Sequence, residues 1–236
     1  GCTERGIAGF NTPGANANAV KELVLAAMLL VSRNMIPAME WAQTLKGKGD
    51  EVTDLVEKGK KQCVGPELKG KKLGVVGLGS VGVMVANAAA SLGMEVIGYD
   101  PFISVESAWG LSSTVKRALN LEALVSRCDF VSIHVPLIDK TRNLFHSEVL
   151  KRFKPGSCLL NFSRDIIVNA PDVIYALECG RLSHYITDFP MDDLLGHPKI
   201  IAIPHLGAST PEAEENCASM AAQELRAFLE HGDIRN

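Results

Sequence analysis

Residues 73–82 read Leu73-Gly74-Val75-Val76-Gly77-Leu78-Gly79-Ser80-Val81-Gly82, an apolar run that breaks into a GxGxxG. An Ala-rich helical stretch follows over 82–92, and Asp100 closes the next apolar run, 23 residues after the first glycine of the motif. A glycine-rich turn alone says little. Placed between a strand and a helix, and answered by an acid at the end of the following strand, it reads as a dinucleotide fingerprint. Gly77 permits the tight turn, Gly79 lets a pyrophosphate approach the backbone at Ser80 and Val81, and Gly82 lets the helix pack on the strand. The helix N-terminus then faces a dianion. Asp100 can accept from a ribose 2′-hydroxyl and repels a 2′-phosphate, while Pro101, Phe102 and Ile103 supply no cation, so NAD is favoured over NADP.

Outward from this stretch, strand and helix signals alternate. Apolar strands are predicted at 73–77, 95–99, 129–135, 157–162, 184–189 and 199–203, with a weaker one near Val115. Helical spacing marks 82–92, 121–127, 147–153 and 171–179, with Gly93 and Gly180 as stop signals, and a last helix runs from about Thr210 to Glu230. This alternation predicts an α/β fold, a doubly wound parallel sheet of Rossmann type. Upstream, 7–11 is predicted as a short strand, 18–31 as a helix with Val20, Leu23, Val24, Ala27, Leu30 and Val31 on one face, and 46–70 as a connector.

The chain has 236 residues, 47% of them hydrophobic and 22% charged, with a net charge of −3. That composition excludes disordered and collagen-like classes and offers no electrostatic footprint for nucleic acid or an anionic membrane. Lysines between Lys46 and Lys72 are interleaved with Asp50, Glu51, Asp54, Glu57 and Glu67, which describes a solvated face. The uncharged run 73–94 is long enough to span a bilayer, but its glycines divide it into strand, turn and helix. Six scattered cysteines without a CxxC argue against a metal site or a disulfide scaffold and fit a reducing cytoplasm.

Two polar clusters fall at strand ends, where open α/β sheets bind ligands. Asn161-Phe162-Ser163-Arg164 closes one strand and Pro204-His205-Leu206-Gly207 another. A fixed guanidinium can hold a 2-oxo carboxylate bidentately while an imidazole moves the hydroxyl proton. A surface arginine paired with Asp165 and a structural histidine are the plain alternatives. His134, in His134-Val135-Pro136, reads as lining the cofactor crevice without acid–base work, and Trp41 and Trp109 as packing or loop residues.

The residues together resemble the D-isomer-specific 2-hydroxyacid dehydrogenase family, most closely its D-3-phosphoglycerate dehydrogenase branch. The matching stretches are residues 11–16 (NTPGAN), 77–82 with Asp100, 134–136, 161–164, Asp188 and 204–210 (PHLGAST). The resemblance implies that Ser80 and Val81 meet the pyrophosphate, Asp100 the ribose, and Phe162, Ser163 and Asp188 the nicotinamide end. His134, Val135 and Pro136 would line the crevice, with Gly207 and Ala208 close to the cofactor. Arg164 would bind the substrate carboxylate beside Asn16, and His205 would be the acid–base.

The family's third catalytic residue is a glutamate after Asp-Val-Phe, whereas this chain reads Asp188-Phe189-Pro190-Met191-Asp192-Asp193. Ungapped counting from Arg164 selects Asp193, and a one-residue deletion selects Asp192. Asp165 replaces a glycine and Asn169 an aspartate.

The resemblance divides the chain into a remnant of the flavodoxin-like substrate domain (1–15), the NAD-binding domain (16–204) and a crossover helix returning to the substrate domain (205–236). The upstream half-domain and a C-terminal regulatory domain are not in the sequence, so the chain is expected to bind NAD(H) and not to turn over alone. Glyoxylate, hydroxypyruvate and D-lactate remain alternative substrates, and an NAD-sensing corepressor-like scaffold is the reading from a different class. The helix at 18–31 resembles the family's dimer-forming helix, which implies a homodimer or homotetramer.

Overall fold

The computed structural model describes residues 3–234. Helix α1 (Ala17–Ser32) buries Val20, Val24, Ala27, Met28 and Val31 at helical spacing. The chain reverses through Asn34, held in the left-handed region at φ 49°, into α2 (Met35–Gln43). Pro37 sits in the first turn of α2, where a backbone N–H has no partner to lose. The predicted connector 46–70 contains α3 (Val52–Gly59), whose apolar Leu55 and Val56 are half-buried while its lysine stays in water.

The sheet-forming part then runs β1 (Lys72–Val76), α4 (Ser80–Ser91), β2 (Glu95–Tyr99), α5 (Val105–Gly110), β3 (Lys116–Arg117), α6 (Leu121–Val125) and β4 (Phe130–Ile133). It continues with α7 (Ser147–Leu150), β5 (Ser157–Asn161), α8 (Ala170–Glu178), β6 (Leu182–Thr187), β7 (Ile200–Ala202) and α9 (Pro211–His231). Seven strands lie in the order β3-β2-β1-β4-β5-β6-β7, all paired in parallel. This is the doubly wound sheet that the alternation of apolar runs predicted. Run 73–94 is strand, turn and helix, and among the described residues no helix is long and apolar enough to cross a membrane.

Each face of the sheet carries its own core. Val24, Met28, Val85, Ala86 and Ala89 of α1 and α4 pack on one face, and Leu124, Val149, Val173 and Leu177 of α6, α7 and α8 on the other. Strands covered on both faces are mostly apolar, and β4 and β5 are buried at every position, with Ser132, Ser157 and Asn161 as their polar members. Gly93 and Gly180 take positive φ after α4 and α8, as helix stops do.

One predicted strand is absent. Residues 7–11 join no sheet, since the edges are β3 and β7 and neither offers them a partner; Phe10 instead meets Phe228 of α9 edge-on at 5.4 Å.

Asn169 caps α8 by accepting the Asp172 N–H at 3.1 Å. Asn169→Ala is expected to lower the unfolding free energy by about 1 kcal/mol in urea titrations, and Asn169→Asp to retain the wild-type value.

Candidate active site

The order of strand addition reverses between β1 and β4, and their carboxyl ends open a crevice there. Gly77, at φ +93°, follows β1, and a Cβ on it would lie 2.6 Å from the His134 carbonyl oxygen after β4. A Cβ on Gly82 would lie 1.9 Å from the Gly77 oxygen, so helix and strand touch through glycine alone. Gly79 differs from both: nothing lies within 4 Å of where its Cβ would be. The protein needs two of the glycines for its own packing, and the third keeps open the space in front of the α4 N-terminus. That space faces the first-turn N–H groups at Ser80 and Val81, the donors a helix N-terminus presents to an anion.

Asp100 is fastened in place by the Leu78 N–H at one oxygen and the Phe102 N–H at the other, both at 2.8 Å. Each oxygen keeps a lone pair for a ribose hydroxyl. Between Pro13, Ser80, Ser104, Ser107, Gly110 and Met220 lies a cavity of about 800 Å³. Its α5 and α9 walls went unseen in the sequence because both come from elements distant from the glycine motif. The turn before α1 reaches the same point, since a Cβ on Gly14 would lie 2.9 Å from the Ser80 hydroxyl.

At the other end of the crevice, His134 is half-buried and shares a 2.8 Å hydrogen bond between Nε2 and the Ser132 hydroxyl. Burial pushes its pKa down to about 4, so it is neutral near pH 7. Val135 accepts a hydrogen bond from the Ser163 hydroxyl, tying the end of β4 to the turn after β5, and Pro136 beside it is exposed. Buried Asn161 organises that turn: its amide donates to the Arg164 carbonyl at 2.9 Å and to the Tyr185 hydroxyl at 3.3 Å, and its oxygen accepts from Ser163 N–H at 3.2 Å. The side chain of Phe162 goes into the core.

Arg164 is exposed, and among the described residues no carboxylate lies within 4 Å of it. Asp165 starts the turn Asp165–Ile167 and makes no pair with it. Arg164 donates to the Ser163 carbonyl at 2.5 Å.

Asp188 follows β6 and is 1% exposed. Its Oδ2 accepts the Gly207 N–H at 3.2 Å, while buried Oδ1 has no hydrogen-bond partner. Burial raises its pKa above the usual carboxylate value, and His205, the Gly207 N–H and Arg164 pull it back only in part. Arg164, Asp188 and His205 follow the carboxyl ends of the adjacent strands β5, β6 and β7. The exposed His205 ring lies 4.7 Å from that of Phe189, centroid to centroid. Gly207 is buried, Ala208 and Asn16 are half-buried, and the Asn16 side chain makes no capping bond to α1.

The expected pairing of His205 with Asp193 or Asp192 is not made. Both aspartates are exposed in the turn Asp192–Leu194, which is anchored by buried Leu194, and neither reaches within 4 Å of the imidazole nitrogens.

Residues 25–207 match the model of the D-isomer specific 2-hydroxyacid dehydrogenase, NAD binding domain. The chain belongs to that family. A D-3-phosphoglycerate dehydrogenase of Synechocystis sp. is 34% identical over 233 residues, covering 96% of this chain and 40% of the relative. Among solved structures, apo D-mandelate dehydrogenase of Rhodotorula graminis superposes with a TM-score of 0.82 at 26% identity, covering 96% of this chain and 66% of that one. NAD⁺-bound 3-phosphoglycerate dehydrogenase of Entamoeba histolytica gives 0.77 at 28% identity, covering 99% of this chain and 68% of that one. The chain therefore spans about two-fifths of the length of the curated relatives it matches.

Gly79→Ala is expected to leave the thermal midpoint unchanged and to weaken NADH binding, read by fluorescence titration, at least tenfold. Gly82→Ala should instead lower the midpoint, because the Gly77 carbonyl cannot retreat.

Titration of His134 generates a second expectation. Its folded pKa of about 4 lies below the ordinary value of 6.5, so between those pH values the unfolded chain binds the extra proton. Stability should fall as the pH drops from 6.5 toward 4. His134→Gln should remove that part of the slope in urea midpoints measured across the window.

Proposed function

We propose that the whole protein is an NAD-dependent oxidoreductase interconverting D-3-phosphoglycerate and 3-phosphohydroxypyruvate, the first step of serine biosynthesis. The observation that carries the reading is that Arg164, Asp188 and His205 follow the carboxyl ends of the adjacent strands β5, β6 and β7, with the Gly207 N–H bonded to the Asp188 carboxylate. Arg164, free of any carboxylate partner among the described residues, holds the substrate carboxylate and the oxygen on C2. In the oxidative direction His205 takes the C2 hydroxyl proton, and in the reductive direction it returns it. When bound, NAD supplies the hydride acceptor. Asp188 would stand at the nicotinamide end, and neutral His134 would line that end without contributing charge.

The substrate assignment rests on the relatives named for phosphoglycerate. The fold does not choose among 2-hydroxy acids, since a D-mandelate dehydrogenase superposes with a higher TM-score than the 3-phosphoglycerate dehydrogenase. Residues 1–15 and 205–236 are assigned to the substrate lobe and 16–204 to the cofactor lobe. A homodimer or homotetramer is assigned on the exposed apolar Leu29, Met35 and Met39 along α1 and α2. The described cysteines are free thiols, in keeping with a cytoplasmic protein.

NADH consumption by the intact protein should be saturable with 3-phosphohydroxypyruvate and preferred over glyoxylate and 2-oxoglutarate. Arg164→Ala should lower kcat/KM about a hundredfold, or roughly 3 kcal/mol for a lost charged hydrogen bond. His205→Asn should lower kcat by about 10²–10⁴. NADH-dependent capture of a protein partner without turnover would replace this reading with the scaffold.

A further inference from the structure

Strand β6 buries a hydroxyl in the core. Along β5 and β6 the side chains alternate between the two cores: Cys158, Leu160 and Ile186 face α1 and α4, whereas Leu159 and Tyr185 face α6, α7 and α8. Tyr185 pairs in register with Leu159 and is 3% exposed. A phenol set there carries its hydroxyl into an apolar layer, where a polar group needs a partner. It finds one on the same face, two residues further along β5, where the Asn161 amide donates to it at 3.3 Å. Burial pushes the phenol's pKa above its ordinary value, so the group stays a neutral hydroxyl near pH 7.

Asn161 has no capacity to spare. Its nitrogen donates to the Tyr185 hydroxyl and, at 2.9 Å, to the Arg164 carbonyl, while its oxygen accepts the Ser163 N–H at 3.2 Å. An amide cannot flip in this setting, because the Ser163 N–H requires the oxygen and the Arg164 carbonyl requires the nitrogen. Without the phenol hydroxyl, one buried N–H of Asn161 would lose its acceptor, and the amide would gain by turning away from Arg164.

The backbone under Arg164 depends on this brace. Arg164 is extended, at φ −153° and ψ 146°, and the other donor to its carbonyl is the Ile167 N–H at 3.4 Å. Its guanidinium is exposed and bonds to the Ser163 carbonyl of the same turn. Where that side chain points is therefore governed by the peptide that Asn161 holds from below.

We propose that Tyr185 is a positioning residue for Arg164: through Asn161 it fixes the backbone that presents the guanidinium to the substrate carboxylate. The substrate side of this inference rests on the dehydrogenase reading, and the brace itself rests on the hydrogen bonds alone.

Tyr185→Phe keeps the ring and removes the hydroxyl. In the intact protein it is expected to raise KM for 3-phosphohydroxypyruvate about tenfold, the weight of one buried hydrogen bond, with kcat and the NADH dissociation constant unchanged within about twofold. A double-mutant cycle tests the route: Tyr185→Phe should cost about tenfold in kcat/KM in the wild type and less than about twofold beside Arg164→Ala. Amide exchange supplies a readout independent of turnover, and the Ser163 N–H should exchange about tenfold faster in Tyr185→Phe. Where Arg164→Ala impairs turnover, an unchanged KM in Tyr185→Phe, an equal loss in both backgrounds or unchanged Ser163 exchange overturns the proposal. Where Arg164→Ala leaves kcat/KM intact, it is the dehydrogenase reading of Arg164 that fails, and the Ser163 exchange rate decides the brace. Should Tyr185→Phe not fold, Tyr185→Met also lacks the hydroxyl and is read in the same way.

Discussion

Three backbone segments meet at the carboxyl end of β1 in a space that admits no side chain. The turn at Gly77 lies against the His134 carbonyl, and the first turn of α4 lies against Gly77 through Gly82. This contact locks helix to strand and strand to strand at the point where the sheet reverses its order, and it aims the α4 N-terminus into the crevice. Asp100 extends the lock to β2 through its bond to Leu78. The cradle, the ribose acid and the seat of His134 are therefore set by one steric constraint, and the cores on both faces of the sheet hold it rigid.

The parts of the fold written in local periodicity were legible. β1, α4 and β2 fall within two residues of their predicted limits, because an apolar strand, a glycine turn and an Ala-rich helix each leave a short-range mark. Elements whose identity depends on distant contacts were not. Residues 7–11 have strand composition and no strand to pair with; α3 sits in a lysine-rich stretch; α5 and the two-residue β3 are too short to show a period.

The site divides in the same way. Arg164 and His205 were visible as strand-end residues, whereas their common neighbour is defined by the Gly207 N–H reaching Asp188 across 19 positions. Asn161 was quoted within its motif, yet its task of bracing Arg164, Ser163 and Tyr185 emerges only in three dimensions. Counting along the chain to Asp192 and Asp193 could not reveal that a single helical turn, pinned by Leu194, keeps them from the imidazole. Sequence offset measures contour length, and the dyad depends on through-space distance.

The chain's two tryptophans occupy opposite environments. Trp41 packs on α3 so closely that a Cβ at Gly59 would fall 2.2 Å from its ring, while Trp109 stands 86% exposed on α5, the helix whose Ser107 and Gly110 wall the 800 Å³ cavity. One indole is half-buried and the other is open to collisional quenchers. The intrinsic emission of this protein is thus spatially encoded: iodide silences the reporter at the crevice rim first, and the light that survives comes from the α2–α3 arm.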